Sequence, residues 1–242
     1  MNTRNYIRMA EVLGYSLMKH NINARRIMMV TKETNTVGII DRLEFAGWTT
    51  KLVHVIPQPG KPSPTMRFRQ MFTKLHIWEL TECDVAVFLD VDTLVLKNFN
   101  ELFTILPNEL QFAATPDIFY DNYVFNINAG VFVCKPNVEL FQTLLDDSIK
   151  NQDKYDQNMV EQGFFNYYFK LSTLRLPFIY NANLAIWKFN NLDWKAFEDQ
   201  IKIIHYTLEK PSLQESVMEP FSHWNRTEAE FLAYKNKRTG SL

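Results

Sequence analysis

The sequence predicts an α/β domain built on a mostly parallel, doubly wound sheet, and three observations carry that expectation. Short apolar runs alternate with stretches of helical periodicity, in the order helix, strand, helix, strand, loop, helix, strand. The chain has 242 residues and is 46% hydrophobic, enough to bury a sizeable core within one domain. Two aspartates, Asp90 and Asp92, stand just past an apolar run, at the strand end where parallel sheets bind ligands.

Taken in order, Tyr6, Met9, Ala10, Leu13 and Leu17 fall on one stripe of an amphipathic helix that ends near His20. Arg25–Thr31 reads as a strand, Val37–Ala46 as a helix stopped by Gly47, and Lys51–Ile56 as a second strand. Pro57–Pro64 holds four Pro and one Gly in eight residues, which makes it a surface loop able to act as a lid. Met66–Leu80 reads as helical, Asp84–Leu89 as an apolar strand, Asn100–Leu106 as a short helix, and Gln111–Ala114 and Ala129–Cys134 as further strands. Helices at Val138–Lys150 and Gln157–Phe169 follow, then a loop-rich stretch and the apolar run Ile201–Tyr206, after which the pattern fades beyond Pro211.

Composition excludes several classes. Lys and Arg number 26 against 27 Asp and Glu, so the chain lacks the basic footprint that nucleic-acid binding requires, and no nucleic-acid partner is expected. No stretch reaches the roughly 18–20 apolar residues of a membrane span. Cys83 and Cys134 are too few for a disulfide scaffold or a Cys-rich zinc site and read as thiols of a reducing compartment, so a cytoplasmic location is expected. The abundance of Phe and Trp after residue 160 permits a homodimer face, or serves the core.

Phe88-Leu89-Asp90-Val91-Asp92-Thr93 carries the chemistry. On a strand, carboxylates at i and i+2 point to the same side and repel unless a cation joins them. Oxygen ligands of this kind suit Mg²⁺ or Mn²⁺ carrying a phosphorylated ligand. The bland alternative is a solvated strand end. An apolar strand followed by Asp-x-Asp-x-Thr also resembles the nucleophile motif of haloacid-dehalogenase phosphatases. That motif normally lies on the first strand, whereas two strand–helix units precede Asp90 here.

Five blocks occur in a fixed order: Thr73–Trp78, Phe88–Leu96, Asn128–Val133, Asp156-Gln157 and His205–Pro211. Together they resemble glycosyltransferase family 8, within it the glycogenin and galactinol synthase branch, over about residues 5–211. The resemblance implies a Rossmann-like nucleotide-diphospho-sugar transferase fold of the GT-A type. It implies one glycosyltransferase domain over 1–242, with a nucleotide-sugar-binding half at 1–135 and an acceptor half with a C-terminal segment at 136–242. The implied activity is transfer of glucose or galactose from a UDP-hexose to a carbohydrate, polyol or protein acceptor, with retention of configuration and with Mn²⁺ or Mg²⁺ as cofactor.

By that resemblance Asp90, Asp92 and His205 are the metal ligands, and Lys210 contacts the diphosphate and stabilises the leaving group. Lys74 lies near the donor sugar and phosphate, Asn128 contacts the donor sugar, and Val91 and Ala129 belong to the same donor site. Asp153, Asp156 and Gln157 line the sugar and acceptor region, with Asp156, Gln157 and Lys210 taken as catalytic, and Tyr6 holds the position where uracil stacks. Pattern alone reads Tyr6 equally as core, Lys74 and Lys210 as solvated lysines, and Asp156 as the N-cap of the helix after it.

Three departures accompany the resemblance. Family members place a strand ahead of the tyrosine, where this sequence has only Met1–Asn5, so the first strand is expected to be missing or shortened. The His–Lys-Pro loop, His205–Pro211, is one residue shorter than the family's and lacks its Gly and Trp. Trp187 stands about where glycogenin carries the tyrosine it glucosylates, and an indole has no hydroxyl to attack an anomeric carbon, so a separate acceptor is expected. A self-glucosylating primer and an inactive nucleotide-sugar-binding protein are the competing readings.

Overall fold

Helix α1, Thr3–Lys19, buries Met9, Ala10, Leu13 and Leu17 of the stripe that its periodicity marks, leaves Tyr6 of that stripe half-buried, and buries Val12 in addition. The structure, a computed structural model, describes residues 3–61, 63, 65–119, 122–211 and 219–240. Of the Pro-rich loop, Pro62 and Pro64 lie outside the described residues, as does Ser212 beyond the Lys-Pro pair. After α1 come β1 (Ile27–Val30), α2 (Val37–Phe45) and β2 (Thr49–Leu52). The second strand thus starts and stops earlier than the apolar run suggests, because Thr49 to Leu52 is the stretch in register with β1.

Met66–Glu79, the stretch read as helical, is a long 3₁₀ helix. It leads to β3 (Ala86–Leu89) and β4 (Thr93–Val95). A short 3₁₀ turn at Asn100–Thr104 precedes β5 (Phe112–Phe119) and β6 (Asn122–Cys134), and α3 (Val138–Lys150) and α4 (Val160–Tyr168) follow. The remainder comprises β7 (Thr173–Arg175), β8 (Ala182–Asn183), α5 (Leu184–Phe189), α6 (Asn191–Phe197), β9 (Ile203–His205) and α7 (Phe221–Thr239).

The described strands form three sheets, β1-β2, β3-β6-β5-β7 and β4-β9-β8. The sheet expected to be mostly parallel is mixed: β1–β2, β5–β7 and β8–β9 are parallel, while β3–β6, β5–β6 and β4–β9 are antiparallel. Each parallel pair has helix between its members, as a crossover requires, whereas β5 and β6 are consecutive and return on each other directly. The β5–β6 ladder is longer than the two short apolar runs predict. Its inner part holds Pro116, Asp117 and Asn128, residues that disguise a strand, and its register shifts around Pro116.

Aromatic packing holds the middle of the molecule. Trp78 is fully buried, stacks on Phe132 at 5.7 Å and Phe169 at 5.9 Å, and meets Phe165 edge-on at 5.6 Å. Phe164, Phe165 and Phe169 are thus core. Helix α7 lies where the sequence pattern fades. It packs on α1 through Tyr15 and Phe231, 5.6 Å apart, and through Lys19 and Glu230, 2.6 Å apart. Its buried positions, Phe221, Trp224, Thr227 and Phe231, recur at helical spacing, a signal hidden by the polar residues between them.

Candidate active site

The segment after β3 places the two aspartates. Asp90 N donates to Gly130 O at 2.8 Å, which extends the β3–β6 ladder by one residue, and Thr93 N and Oγ1 donate to Asp90 O at 3.0 and 2.8 Å. The chain therefore turns between Asp90 and Thr93 and enters β4, a strand of another sheet. The expectation of two carboxylates side by side on a strand is replaced by a turn that brings both to the junction of two sheets. Thr93 pairs with His205 across β4–β9, and Tyr206 N donates to Asp92 O at 3.0 Å, so the end of β9 arrives at the same point.

There Asp90, Asp92 and His205 each present a ligand atom within 4.8 Å of the others. His205 Nε2 is 3.5 Å from Asp92 Oδ1 and 4.0 Å from Asp90 Oδ2, while Nδ1 lies 3.0 Å from Asn181 Oδ1. Two carboxylates and one imidazole are a donor set that fits Mn²⁺ or Mg²⁺, and no other group of this kind occurs among the described residues. The ring lies close against Gly130, where a Cβ would fall 2.0 Å from His205 Cε1.

Two lysines balance these charges. Lys74, 7% exposed, holds Glu161 Oε1 at 2.7 Å, Asp90 Oδ1 at 3.1 Å and Ala129 O at 3.3 Å. Burial alone lowers its pKa, but Asp90 and Glu161 outweigh that and raise it, so Lys74 stays charged. Lys210 donates to Asp92 and to Tyr206 O at 2.8 Å. Burial raises the Asp92 pKa, yet His205 and Lys210 together hold it well below the usual carboxylate range. Asp90 goes the other way: its desolvation, reinforced by Asp92, outweighs Lys74 and raises its pKa.

The cluster opens into a groove of about 930 Å³ that runs between β1 and β3 and is lined by Tyr6, Met28, Lys74, Val87, Val91 and Lys210, among others. Tyr6 is half-buried, packs against the core cluster that holds Met9 and Val12, and also lines the groove, so it belongs to the core margin and to the groove at once. Asn128 and Ala129 are buried in β6: Asn128 donates to Asp117 at 3.1 Å and Ala129 N to Gln162 Oε1 at 3.0 Å. Asp153, Asp156 and Gln157 lie outside the groove lining, on the connection between α3 and α4. Asp156 caps the turn after it, accepting from Asn158 N at 2.9 Å, and Gln157 Oε1 accepts from Gln58 of the Pro-rich loop at 3.2 Å. The sequence reading overlooked Glu161, Asp117 and Asn181; the first sits in an ordinary helical pattern, and only the three-dimensional contacts single out the others.

Comparison with known proteins places this geometry. The family model described as Glycosyl transferase family 8 matches residues 2–211. Glycogenin-1 of Mus musculus is 31% identical over 211 residues, covering 83% of this chain and 60% of that protein. Glycogenin-1 of Caenorhabditis elegans is 39% identical over 137 residues, covering 56% of this chain and 30% of that protein, so the chain spans only part of these relatives. The crystal structure of the galactosyltransferase LgtC with donor and acceptor sugar analogs superposes with a TM-score of 0.70 at 16% identity, covering 93% of this chain and 92% of that one, which shows the shared GT-A fold. With its ordered sequence blocks, its fold and a family match over nearly all of its described length, the chain belongs to glycosyltransferase family 8.

Proposed function

We propose that this protein is a retaining hexosyltransferase that moves glucose or galactose from a UDP-sugar to an acceptor other than its own tyrosine, with Mn²⁺ or Mg²⁺ held by Asp90, Asp92 and His205. The observation that carries the reading is the convergence of those three side chains on the lining of the groove. The divalent cation, when bound, neutralises the donor diphosphate and so eases its departure. Lys210, already at Asp92, is the cation assigned to the diphosphate, where it stabilises the charge that develops. Lys74 acts at one remove, since its ammonium is shared by Asp90 and Glu161 and thereby orients Asp90. Tyr6 and Val91 border the nucleotide, and Asn128 and Ala129 underlie the donor sugar.

Asp153, Asp156 and Gln157, the last next to Gln58 and Gly60 of the Pro-rich loop, are assigned to the sugar and acceptor side. The sugar–phosphate C–O bond breaks as the acceptor oxygen attacks the same face, and the acceptor proton passes to the leaving diphosphate, with no covalent enzyme intermediate. No described helix is long and apolar enough to cross a membrane.

The test is UDP release from UDP-glucose and UDP-galactose, with and without Mn²⁺, in wild type and Asp92→Ala. Metal-dependent release lost in the variant is expected. Binding of donor without turnover on any acceptor makes the protein an inactive nucleotide-sugar binder instead. The glycogenin relatives favour a second reading, a self-glucosylating primer, which intact mass after incubation with UDP-glucose decides: whole-hexose increments establish it. Trp187, packed against Phe221 at 6.1 Å in α5, offers no hydroxyl there, so an unchanged mass is expected.

A further inference from the structure

His205 has two ring nitrogens, and the hydrogen bonds behind it decide which one faces the aspartates. A backbone amide nitrogen can only donate a hydrogen bond. Gly130 N donates at 3.0 Å to the side chain of Asn128, so the atom it meets is the amide oxygen Oδ1. The Asn128 amide nitrogen then faces Asp117 Oδ1 at 3.1 Å, where Ile118 N at 2.9 Å and, on Oδ2, Gln162 Nε2 at 2.7 Å also donate.

Because Asn128 Oδ1 is an acceptor, the neighbouring Asn181 must turn its nitrogen to it, and Nδ2 lies 3.0 Å away, with Thr115 Oγ1 also at 3.0 Å. Only the oxygen of Asn181 is left for the histidine, 3.0 Å from Nδ1. An oxygen without a proton needs a donor, so Nδ1 carries the hydrogen. In the neutral ring the lone pair is then on Nε2, the nitrogen that lies 3.5 Å from Asp92 and 4.0 Å from Asp90. Asn128 and Asn181 are both buried, so water does not compete for these bonds.

We infer that Asn181 is a positioning residue that fixes His205 as the Nδ1–H tautomer and reserves Nε2 for a divalent cation. The part concerning the cation rests on the proposed function; the tautomer does not. Partners behind a ligating histidine set its orientation and basicity, and losing one lowers metal affinity by about 10–100-fold.

Two measurements test this. Nitrogen NMR of the metal-free wild type, labelled in histidine and followed with rising pH into the neutral ring, reports which ring nitrogen of His205 keeps the proton; Nδ1 is expected, and a neutral ring that keeps its proton on Nε2 overturns the inference without any variant. Binding of Mn²⁺ alone, followed by electron paramagnetic resonance, is then compared in wild type, Asn181→Leu and Asn181→Asp, each checked for a cooperative thermal transition. Asn181→Leu is expected to lose the tautomer preference and to bind Mn²⁺ about 10–100-fold more weakly. Asn181→Asp keeps an oxygen before Nδ1 and is expected to keep the proton there, at a cost in stability because its second oxygen faces Asn128 Oδ1 in place of the amide nitrogen. A folded Asn181→Leu protein with Mn²⁺ affinity within about twofold of wild type overturns the inference. A wild type that binds no Mn²⁺ overturns the cation reading instead, with the tautomer result standing apart.

Discussion

Gly130→Ala is the most economical probe of the site, because it adds one methyl group and its consequence follows from distances. The new Cβ would lie 2.0 Å from His205 Cε1, 2.6 Å from Nδ1 and 2.8 Å from Nε2. Carbon atoms rest about 3.5–4.0 Å apart, so ring and methyl must separate by roughly 1.5 Å or more. The backbone has little room to give, since Gly130 O accepts from Asp90 N at 2.8 Å and Gly130 N donates to Asn128 at 3.0 Å. The imidazole is the part that moves, leaving both Asn181 and the aspartates. Gly130 is not among the residues of positive φ, so the effect is steric and carries no backbone strain.

A misplacement of about 1 Å in a reacting site costs on the order of 10²-fold, and overpacking costs about 1–3 kcal/mol of stability. The expected result is therefore kcat/KM for Mn²⁺-dependent UDP release reduced by about 100-fold, in a protein that still folds. The assay is initial rate against UDP-sugar at several Mn²⁺ concentrations, with thermal unfolding as control. A folded Gly130→Ala protein with kcat/KM within twofold of wild type and the same Mn²⁺ requirement would show that His205 has no part in the chemistry.

Lys74→Met leaves Asp90 and Glu161 facing each other without their shared ammonium; loss of one partner of a buried ion pair costs about 3–5 kcal/mol, to be read from urea unfolding, and Lys74→Met with Glu161→Gln should recover part of it. A destabilisation below about 1 kcal/mol would refute the central place given to Lys74. Tyr180 offers a pH test away from the site. Its phenol, pushed up to about 12 by burial and then by the hydrogen bond to Glu101 at 2.7 Å, keeps its proton in the folded state after the unfolded chain has lost it near pH 10. This contribution is complete below about pH 10 and is lost as pH rises through about 12, so Glu101→Gln should shift part of the phenol titration downward and flatten the fall in stability across that window. An unchanged absorbance titration would rule the pairing out.

Much of this protein is determined by residue order alone. The apolar stripe of α1, the runs that become β1, β3 and β9, and helix α3 were readable because each pattern has a period that matches its own backbone geometry. The sequence likewise determined the family and drew attention to Asp90, Asp92 and His205, since chemistry-bearing residues at strand ends stand out against apolar neighbours. It was silent on α7, whose buried face is diluted by charged residues, and on the inner half of the β5–β6 ladder, where Pro, Asp and Asn are tolerated because tertiary partners satisfy them.

What only the tertiary structure decided is the arrangement of distant parts. The turn between two sheets sets the geometry of the aspartate pair, β9 brings His205 back more than a hundred residues later, and Lys74 is revealed as a buried counter-ion rather than a solvated side chain. The tautomer of His205 depends on Gly130, Asn128 and Asn181, three residues whose side chains and backbone meet only after the strands have paired. Periodicity is local, whereas a hydrogen-bond donor is assigned by whatever faces it, and that partner is chosen by the fold.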